Sequence, residues 1–422
     1  MKVFRIVVAL FVLLCLLPAC SMFRSPLPVA GVVAGQPVAT TVDTALARYY
    51  IEHYLPGHRT RPAWDTLLDS LTASLGPGVP TKEQLKTIAH DYSTDLATLL
   101  LVHRLWNDPA NQDIQALFAT ALSEVKSLAH TGTLSTLNIS QDYLMVFAPG
   151  WFYQSDPTSG ADFAQPRRIV AQLGLQTYLL PTEENGSVER NAAIIAEHLR
   201  RLSAEYPRMV LVSASKAGPE VAYALAMLAA AEQAHNVKAW VNIGGVLWGS
   251  ALADAAVRWP QRWYVSLFIL AADSFAGVES LTTARSAKRL AGARLPERVL
   301  IVNYVGIPLS GQVSERARPG YVRLRKEGPN DGLTPIVDEI LPGSVTIVEL
   351  GLDHFYWHPE MPLRTVAMAQ AVIQWVERHR DRKRIGRHVS PHLTGASDAP
   401  ELSGRTPAAS LRRVPETSPG TQ

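Results

Sequence analysis

A serine becomes a nucleophile when a sharp turn holds its hydroxyl out of the fold, and Ser213-Ala214-Ser215-Lys216-Ala217-Gly218 has the composition of such a turn. The apolar run Met209-Val210-Leu211-Val212 precedes it, and an Ala-rich stretch of helical character begins near Pro219. A buried strand bending into a helix, with Ser215 at the apex, strains the backbone and exposes the oxygen. Ser213 and Ala217, two residues to either side, are small enough for the strand and helix to close around the bend. The same bend aims the backbone N–H of Lys216 into the field of the helix N-terminus, where a developing oxyanion is stabilised.

A serine hydroxyl also needs a base within hydrogen-bond reach, and the base needs a group that fixes its tautomer. His354, in Gly351-Leu352-Asp353-His354-Phe355-Tyr356, directly follows the strand-like run Ser344 to Leu350. Asp331, in Gly328-Pro329-Asn330-Asp331-Gly332-Leu333-Thr334-Pro335, lies in a Gly/Pro-rich loop whose turn chemistry can orient a carboxylate. Both would project from the carboxyl ends of strands, the edge where sites assemble in open α/β sheets.

The order Ser, Asp, His, each at the end of a successive strand, resembles the α/β-hydrolase superfamily. Asn330-Asp331-Gly332-Leu333-Thr334-Pro335 is similar to the acid loop of its lipase-like members, and Leu352-Asp353-His354 to their histidine loop. The similarity runs from about Tyr143 to Glu377. It implies Ser215 as nucleophile, His354 as general base and then acid, and Asp331 as the orienting carboxylate. It also implies an oxyanion hole built from the Lys216 N–H and one from the loop after an earlier strand. Pro149-Gly150-Trp151 ends such a strand, so Trp151 is the second donor, with Phe152 as its near alternative. The family pattern Gly-x-Ser-x-Gly is modified: Ser213 and Ala217 take the two glycine places, and Gly218 comes one residue late.

Each residue also has a plainer explanation. Ser215 could merely cap a helix, Asp331-Gly332 could be an ordinary turn, and Trp151 could be a core aromatic. His358 competes with His354, Asp353 could bond locally, and Asp338 is expected on a following helix. Two other functions fit parts of the pattern. Ser213-Ala214-Ser215-Lys216 also matches Ser-x-x-Lys, the signature of penicillin-recognising enzymes, with Ser213 as nucleophile, although neither Ser-Asp-Asn nor Lys-Thr-Gly is present. The scaffold could instead serve as an inactive, lipid-anchored binding or assembly protein.

The N-terminus reads as a targeting segment, 1–19. Lys2 and Arg5 precede an apolar stretch, Ile6 to Leu17, that is short for a membrane span. Leu17-Pro18-Ala19-Cys20 resembles the bacterial lipobox, which would make Cys20 an acylated mature N-terminus; an ordinary secretory signal or an uncleaved anchor is the other reading. Ser21, where an inner-membrane retention signal would show Asp, points to the outer membrane of a bacterial envelope. Cys15 and Cys20 are the chain's only cysteines, so a mature form starting at Cys20 has no disulfide.

Residues 20–40, rich in Pro, Gly and Val, read as a tether, and 41–135 as a helical region that either covers or supports the core. Within that region, Thr81-Lys82-Glu83-Gln84 has the form of a helix start. From Tyr143 onward, apolar runs of strand length alternate with helical stretches: Tyr143 to Ala148, Gln176 to Leu180, Met209 to Val212, Val237 to Ile243, Arg298 to Val305 and Ser344 to Leu350. This alternation predicts an α/β domain over 136–385, with a mostly parallel sheet covered on both faces. Residues 251–295, apolar and aromatic around Trp259 to Phe275, read as a helical cap insertion, and 386–422 as a disordered tail. The 422 residues are 47% hydrophobic with a formal charge of +3, which supports a sizeable core and argues against nucleic acid as a partner. No phosphate-cradling loop or metal pattern is visible, so no cofactor is expected. The expected partners are a small-molecule or lipid acyl ester and a membrane reached through the N-terminal lipid.

Overall fold

The computed structural model describes residues 26–258 and 275–388, with side chains to 379. The signal segment, Cys20, most of the aromatic stretch of the insertion and nearly all of the tail therefore lie outside the described residues. Chain order begins with β1 (Leu27–Val33) and β2 (Gln36–Val42), followed by α1 (Ala45–Tyr49), which continues as a π-helical turn over Tyr50–Tyr54. Next come α2 (Pro62–Ser74), α3 (Lys82–Asp91), α4 (Thr94–Asn107) and α5 (Pro109–His130). The α/β portion runs β3 (Leu144–Ala148), α6 (Ala164–Gln172), β4 (Gln176–Leu179), α7 (Val188–Leu202), β5 (Met209–Ala214), α8 (Ala217–Ala230) and β6 (Val237–Ile243). After these come α9 (Ala251–Val257), α10 (Ala276–Ser280), α11 (Thr283–Gly292), β7 (Leu300–Ile307), α12 (Arg318–Leu324), β8 (Val345–Leu350) and α13 (Met361–His388).

Six strands form one parallel sheet in the order β4-β3-β5-β6-β7-β8. Its central strands are buried on both sides, as the unbroken apolar runs require: every residue of β3 is buried. One face carries α5, α6 and α13, whose Phe118, Val170, Val372 and Trp375 pack with Phe147, Val212 and Tyr304. The other carries α7 and α8, where Ile195, Leu199, Val221 and Leu225 meet Val146, Leu211 and Trp240. The anticipated doubly covered sheet is the one observed.

The helical region after Thr41 forms largely as its periodicity predicts. Thr81 and Gln84 make a reciprocal capping box at the start of α3. That helix ends at Asp91, and the Ser93 hydroxyl, accepting from Leu96 N, starts α4 afresh. This region supports the core. Leu96, Leu99 and Val102 join a cluster with Val305, Ile307 and Val348 from the β7–β8 end of the sheet.

Residues 27–42 are not a tether but an antiparallel hairpin, paired from Leu27↔Val42 to Val33↔Gln36. Ala34 (φ 50°) and Gly35 (φ 69°) form its two-residue turn, the left-handed pair that matches strand twist. Val29, Val33, Val38 and Val42 point inward and are buried, a period-two pattern hidden among Pro and Gly. The Gln36 amide then bonds the outer strand of the large sheet, donating to Val348 O (3.0 Å) and accepting from Leu350 N (3.2 Å). Asn111 of α5 does the same one step along, accepting from Thr346 N at 2.7 Å. At the other end, helix α13 runs to His388, past the expected domain boundary at 385.

Candidate active site

Ser215 stands directly beyond β5 with φ +55°, a left-handed backbone that a non-glycine residue holds only under constraint. The constraint comes from three hydrogen bonds: Ser215 N donates to Ile243 O (3.0 Å), and Ser215 O accepts from Gly218 N (3.0 Å) and Val246 N (3.1 Å). Those bonds tie the bend to the end of β6. The start of α8 presses closely on the loop after β6: a Cβ at Gly218 would lie 2.8 Å from the Gly245 Cα. The steric need for glycine thus falls at 218, and the buried Ser213 and Ala217 fill the two substituted places. Ser213 Oγ has its own task, accepting from Trp240 Nε1 at 2.8 Å.

His354 lies in the turn that follows β8, and its Nε2 is 2.8 Å from Ser215 Oγ. Its Nδ1 bonds Asp331 Oδ2, with both side chains buried. Asp331 is held by its own loop, as its turn chemistry suggests: Oδ1 accepts from Leu333 N and Thr334 N, each at 2.8 Å. The backbones are joined too, since His354 N donates to Asp331 O at 3.0 Å. Gly332, at φ +102°, lets the acid loop lie against Ala317 where a Cβ would meet that residue's Cβ at 2.7 Å. Ser215, His354 and Asp331 therefore form one continuous hydrogen-bonded chain drawn from three loops. Burial works to lower the imidazole pKa, but the charge and hydrogen bond of Asp331, with the Asp353 charge adding to them, raise His354 above its ordinary value.

The remaining candidates fall into place around this chain. Gly150 sits beside the bend, its built Cβ position 3.8 Å from Ser215 Cβ, so the Trp151 turn adjoins the serine. Among the described residues, neither Trp151 N nor Lys216 N donates to a protein acceptor. Phe152 follows with φ +62° and a ring stacked on Trp151 at 5.3 Å. The Trp151 ring packs beside Ala253, Val278 and Leu281 of the insertion, and its Nε1 donates to Asn185 Oδ1 at 3.0 Å. The Lys216 side chain turns inward to pair with the buried Glu220, whose carboxyl also accepts from Asn191 Nδ2 at 2.8 Å. Burial raises the Glu220 pKa, and Lys216 opposes that rise. Asn191 in turn holds the Glu183 backbone through both N and O, a few residues from Asn185. These contacts leave no room for the Ser-x-x-Lys scheme: the Ser213 hydroxyl is committed to Trp240 and the Lys216 ammonium to Glu220.

His358 is not in the site; its Nδ1 accepts from Glu360 N at 3.1 Å, ahead of α13. Asp353 bonds the backbone, accepting from Ser314 N (2.7 Å) and Phe355 N (3.0 Å), and so braces the histidine turn. Asp338 lies on a short 3-10 turn, Ile336–Glu339, rather than on a regular helix, and pairs with Lys82. Sequence reasoning passed over Glu339, which is fully buried against the Asp331 carboxyl. Its one sequence signal is two acids in succession after an otherwise apolar Pro335-Ile336-Val337. Arg316 was also passed over. It lies over the rings of Phe355 (4.6 Å) and Trp357 (5.6 Å) and pairs with Asp156 at 2.8 Å, joining the histidine loop to the loop after β3.

No family model matches the chain, and no curated protein matches it. Among solved structures, the metagenomic carboxyl esterase MGS0156 superposes with a TM-score of 0.50 at 22% identity, over 64% of this chain and 93% of that one. The chain has the α/β-hydrolase fold. The mature form of Bacillus licheniformis lipase BlEst2 is also similar, with a TM-score of 0.44 at 20% identity over 58% of this chain and 94% of its own. Within the α/β-hydrolase fold, the three linked loops occupy the carboxyl edge of the sheet, after β5, between β7 and β8, and after β8.

Proposed function

We propose that the protein is a serine hydrolase that cleaves an ester or related acyl bond through an acyl-enzyme intermediate. The observation that carries this reading is the unbroken relay from Ser215 Oγ through the His354 imidazole to Asp331. In the first half-reaction Ser215 Oγ bonds the substrate carbonyl carbon as its proton passes to His354 Nε2. The Lys216 and Trp151 N–H groups stabilise the resulting oxyanion, and His354 returns the proton to the departing alkoxide oxygen. Water then adds to the acyl carbon with His354 as base, and Ser215 leaves as the free alcohol. Phe152 and Trp357, 44% and 54% exposed, give the site's mouth an apolar rim suited to an acyl or alkyl group. The reading includes Cys20 as the acylated residue that tethers the enzyme to the bacterial envelope, at the outer membrane.

A fluorophosphonate probe tests the chemistry. Purified protein should label on Ser215 and hydrolyse short-chain acyl esters, and Ser215→Ala should lose labelling and roughly four or more orders of magnitude in kcat. An unlabelled wild type, or a Ser215→Ala variant that turns over normally, would overturn the proposal and favour an inactive scaffold. For the anchor, metabolic palmitate incorporation into the full chain should vanish in Cys20→Ala. Incorporation that persists would exclude that residue.

A further inference from the structure

Glu339 is fully buried, and among the described residues neither of its carboxyl oxygens receives a hydrogen bond. An ionised carboxylate left in that state would be costly. Its position is fixed: Glu339 O accepts from Asn242 Nδ2 at 3.0 Å, and the preceding Asp338 O accepts from Trp248 N at 3.2 Å. The groups facing it offer no donor. Asp331 is a carboxylate, Asp338 is another and already pairs with Lys82, and the Tyr356 hydroxyl donates to Tyr304 O at 2.9 Å. With no donor found for it among the described residues, Glu339 satisfies its carboxyl by keeping its own proton and donating it to Asp331, the acid that holds His354.

We infer that Glu339 is a positioning residue, a protonated carboxyl group that shares its proton with Asp331 and thereby restrains the basicity of His354. The inference rests on the serine-hydrolase reading for its effect on rate, although the protonation itself does not. Burial and the neighbouring Asp331 charge, with Asp338 adding to it, push the Glu339 carboxyl well above its ordinary range, in keeping with this arrangement. The physical consequence has a definite sign. A hydrogen bond donated to Asp331 draws carboxylate charge away from His354, so removing it leaves more negative charge on Asp331 facing the imidazole and strengthens the ring as a base. Removing an ionised Glu339 would do the opposite. Asp353, the other carboxylate near the ring, is held by Ser314 N and Phe355 N and is unchanged in either case.

Two measurements on the full-length protein decide the matter. The first is infrared spectroscopy near neutral pH: wild type should show the carbonyl band of a buried protonated carboxyl, lost in Glu339→Gln. Buried Asp95 contributes a band of its own, so the test is the difference: a carboxyl band that Glu339→Gln leaves unchanged overturns the inference whether or not the protein is an enzyme. The second is the pH profile of kcat/KM on an acyl ester. In Glu339→Leu the acid limb should move to higher pH, lowering kcat/KM on that limb on the order of threefold to tenfold. Glu339→Gln, which keeps a donor, should bring the limb back towards wild type. A limb that stays put or moves to lower pH in Glu339→Leu refutes the shared proton. If Glu339→Leu fails to fold, the infrared band and the Glu339→Gln profile decide it, because Gln would lower the limb if Glu339 were ionised. Loss of serine labelling in wild type would instead sink the hydrolase reading and leave the infrared result standing.

Discussion

Two carboxyl pairs sit in this molecule, each built around a fully buried acid, and their surroundings give them opposite work. Asp331 and Glu339 lie at the carboxyl edge of the sheet, where an imidazole is the first partner of one of them. Asp43 and Asp95 lie where the N-terminal helices meet the body. Asp95 accepts from Asp43 N (2.7 Å), Ser310 N (2.8 Å) and Ser310 Oγ (2.6 Å), and Arg325 reaches Asp43 at 3.2 Å. The first pair points its charge at a group that can move a proton. The second points its charge at backbone and hydroxyl donors and at the Arg325 guanidinium, none of which takes up a proton. Bringing two acids together therefore says little about function until the partner of each oxygen is known.

The strongest contrast is in turnover. Asp331→Asn should lower kcat by about four orders of magnitude by releasing the wrong imidazole tautomer, whereas Asp95→Asn should leave ester hydrolysis at 25 °C unchanged. Stopped-assay kinetics on the two purified variants would show this, and equal losses would erase the distinction. The smaller effect is in stability. Burial, reinforced by the nearby Asp43 charge, pushes Asp95 from 3.8 up to about 7, against the pull of the Ser310 hydrogen bonds. Tyr321, buried beside it, is itself raised well above the usual tyrosine value by burial and by the Asp95 and Asp43 charges, so it stays neutral and adds no second negative charge. The folded protein thus holds the Asp95 proton more tightly than the unfolded chain does. The associated stability is full below the unfolded value of 3.8 and is lost as pH rises through about 7. Urea denaturation of wild type should therefore show this component declining between about pH 4 and 7, and the slope should flatten in Asp95→Asn. Identical slopes would show that Asp95 ionises in the folded state as it does when unfolded.

The serine turn, the acid loop and the histidine turn were legible because each joins a chemical residue type to the punctuation of a strand end. Ser215 needed an apolar run before it and small residues around it, and Asp331 needed Gly and Pro to make a turn. The parallel sheet was legible for a similar reason: runs such as Met209 to Val212 and Val237 to Ile243 are apolar on both faces. The hairpin at 27–42 was obscured because Pro28, Pro37, Gly31 and Gly35 outweighed four alternating valines whose burial depends on partners far along the chain. Glu339 was not legible, since nothing local marks an acid as buried. Only the folded acid loop brings Asp331 against it. The break between α3 and α4 turned on whether Ser93 caps or continues a helix, which tertiary packing decides.

The amides of Gln36 and Asn111 carry a consequence for how this molecule behaves among copies of itself. An outermost strand leaves a row of unsatisfied main-chain groups that will accept any passing extended segment, the usual seed of intermolecular stacking. Here two side chains mimic a neighbouring strand, engaging Thr346, Val348 and Leu350 without offering a further edge to extend. A shortened protein beginning after the hairpin would lose the Gln36 half of that shield, and its sheet would be free to grow by recruiting another chain.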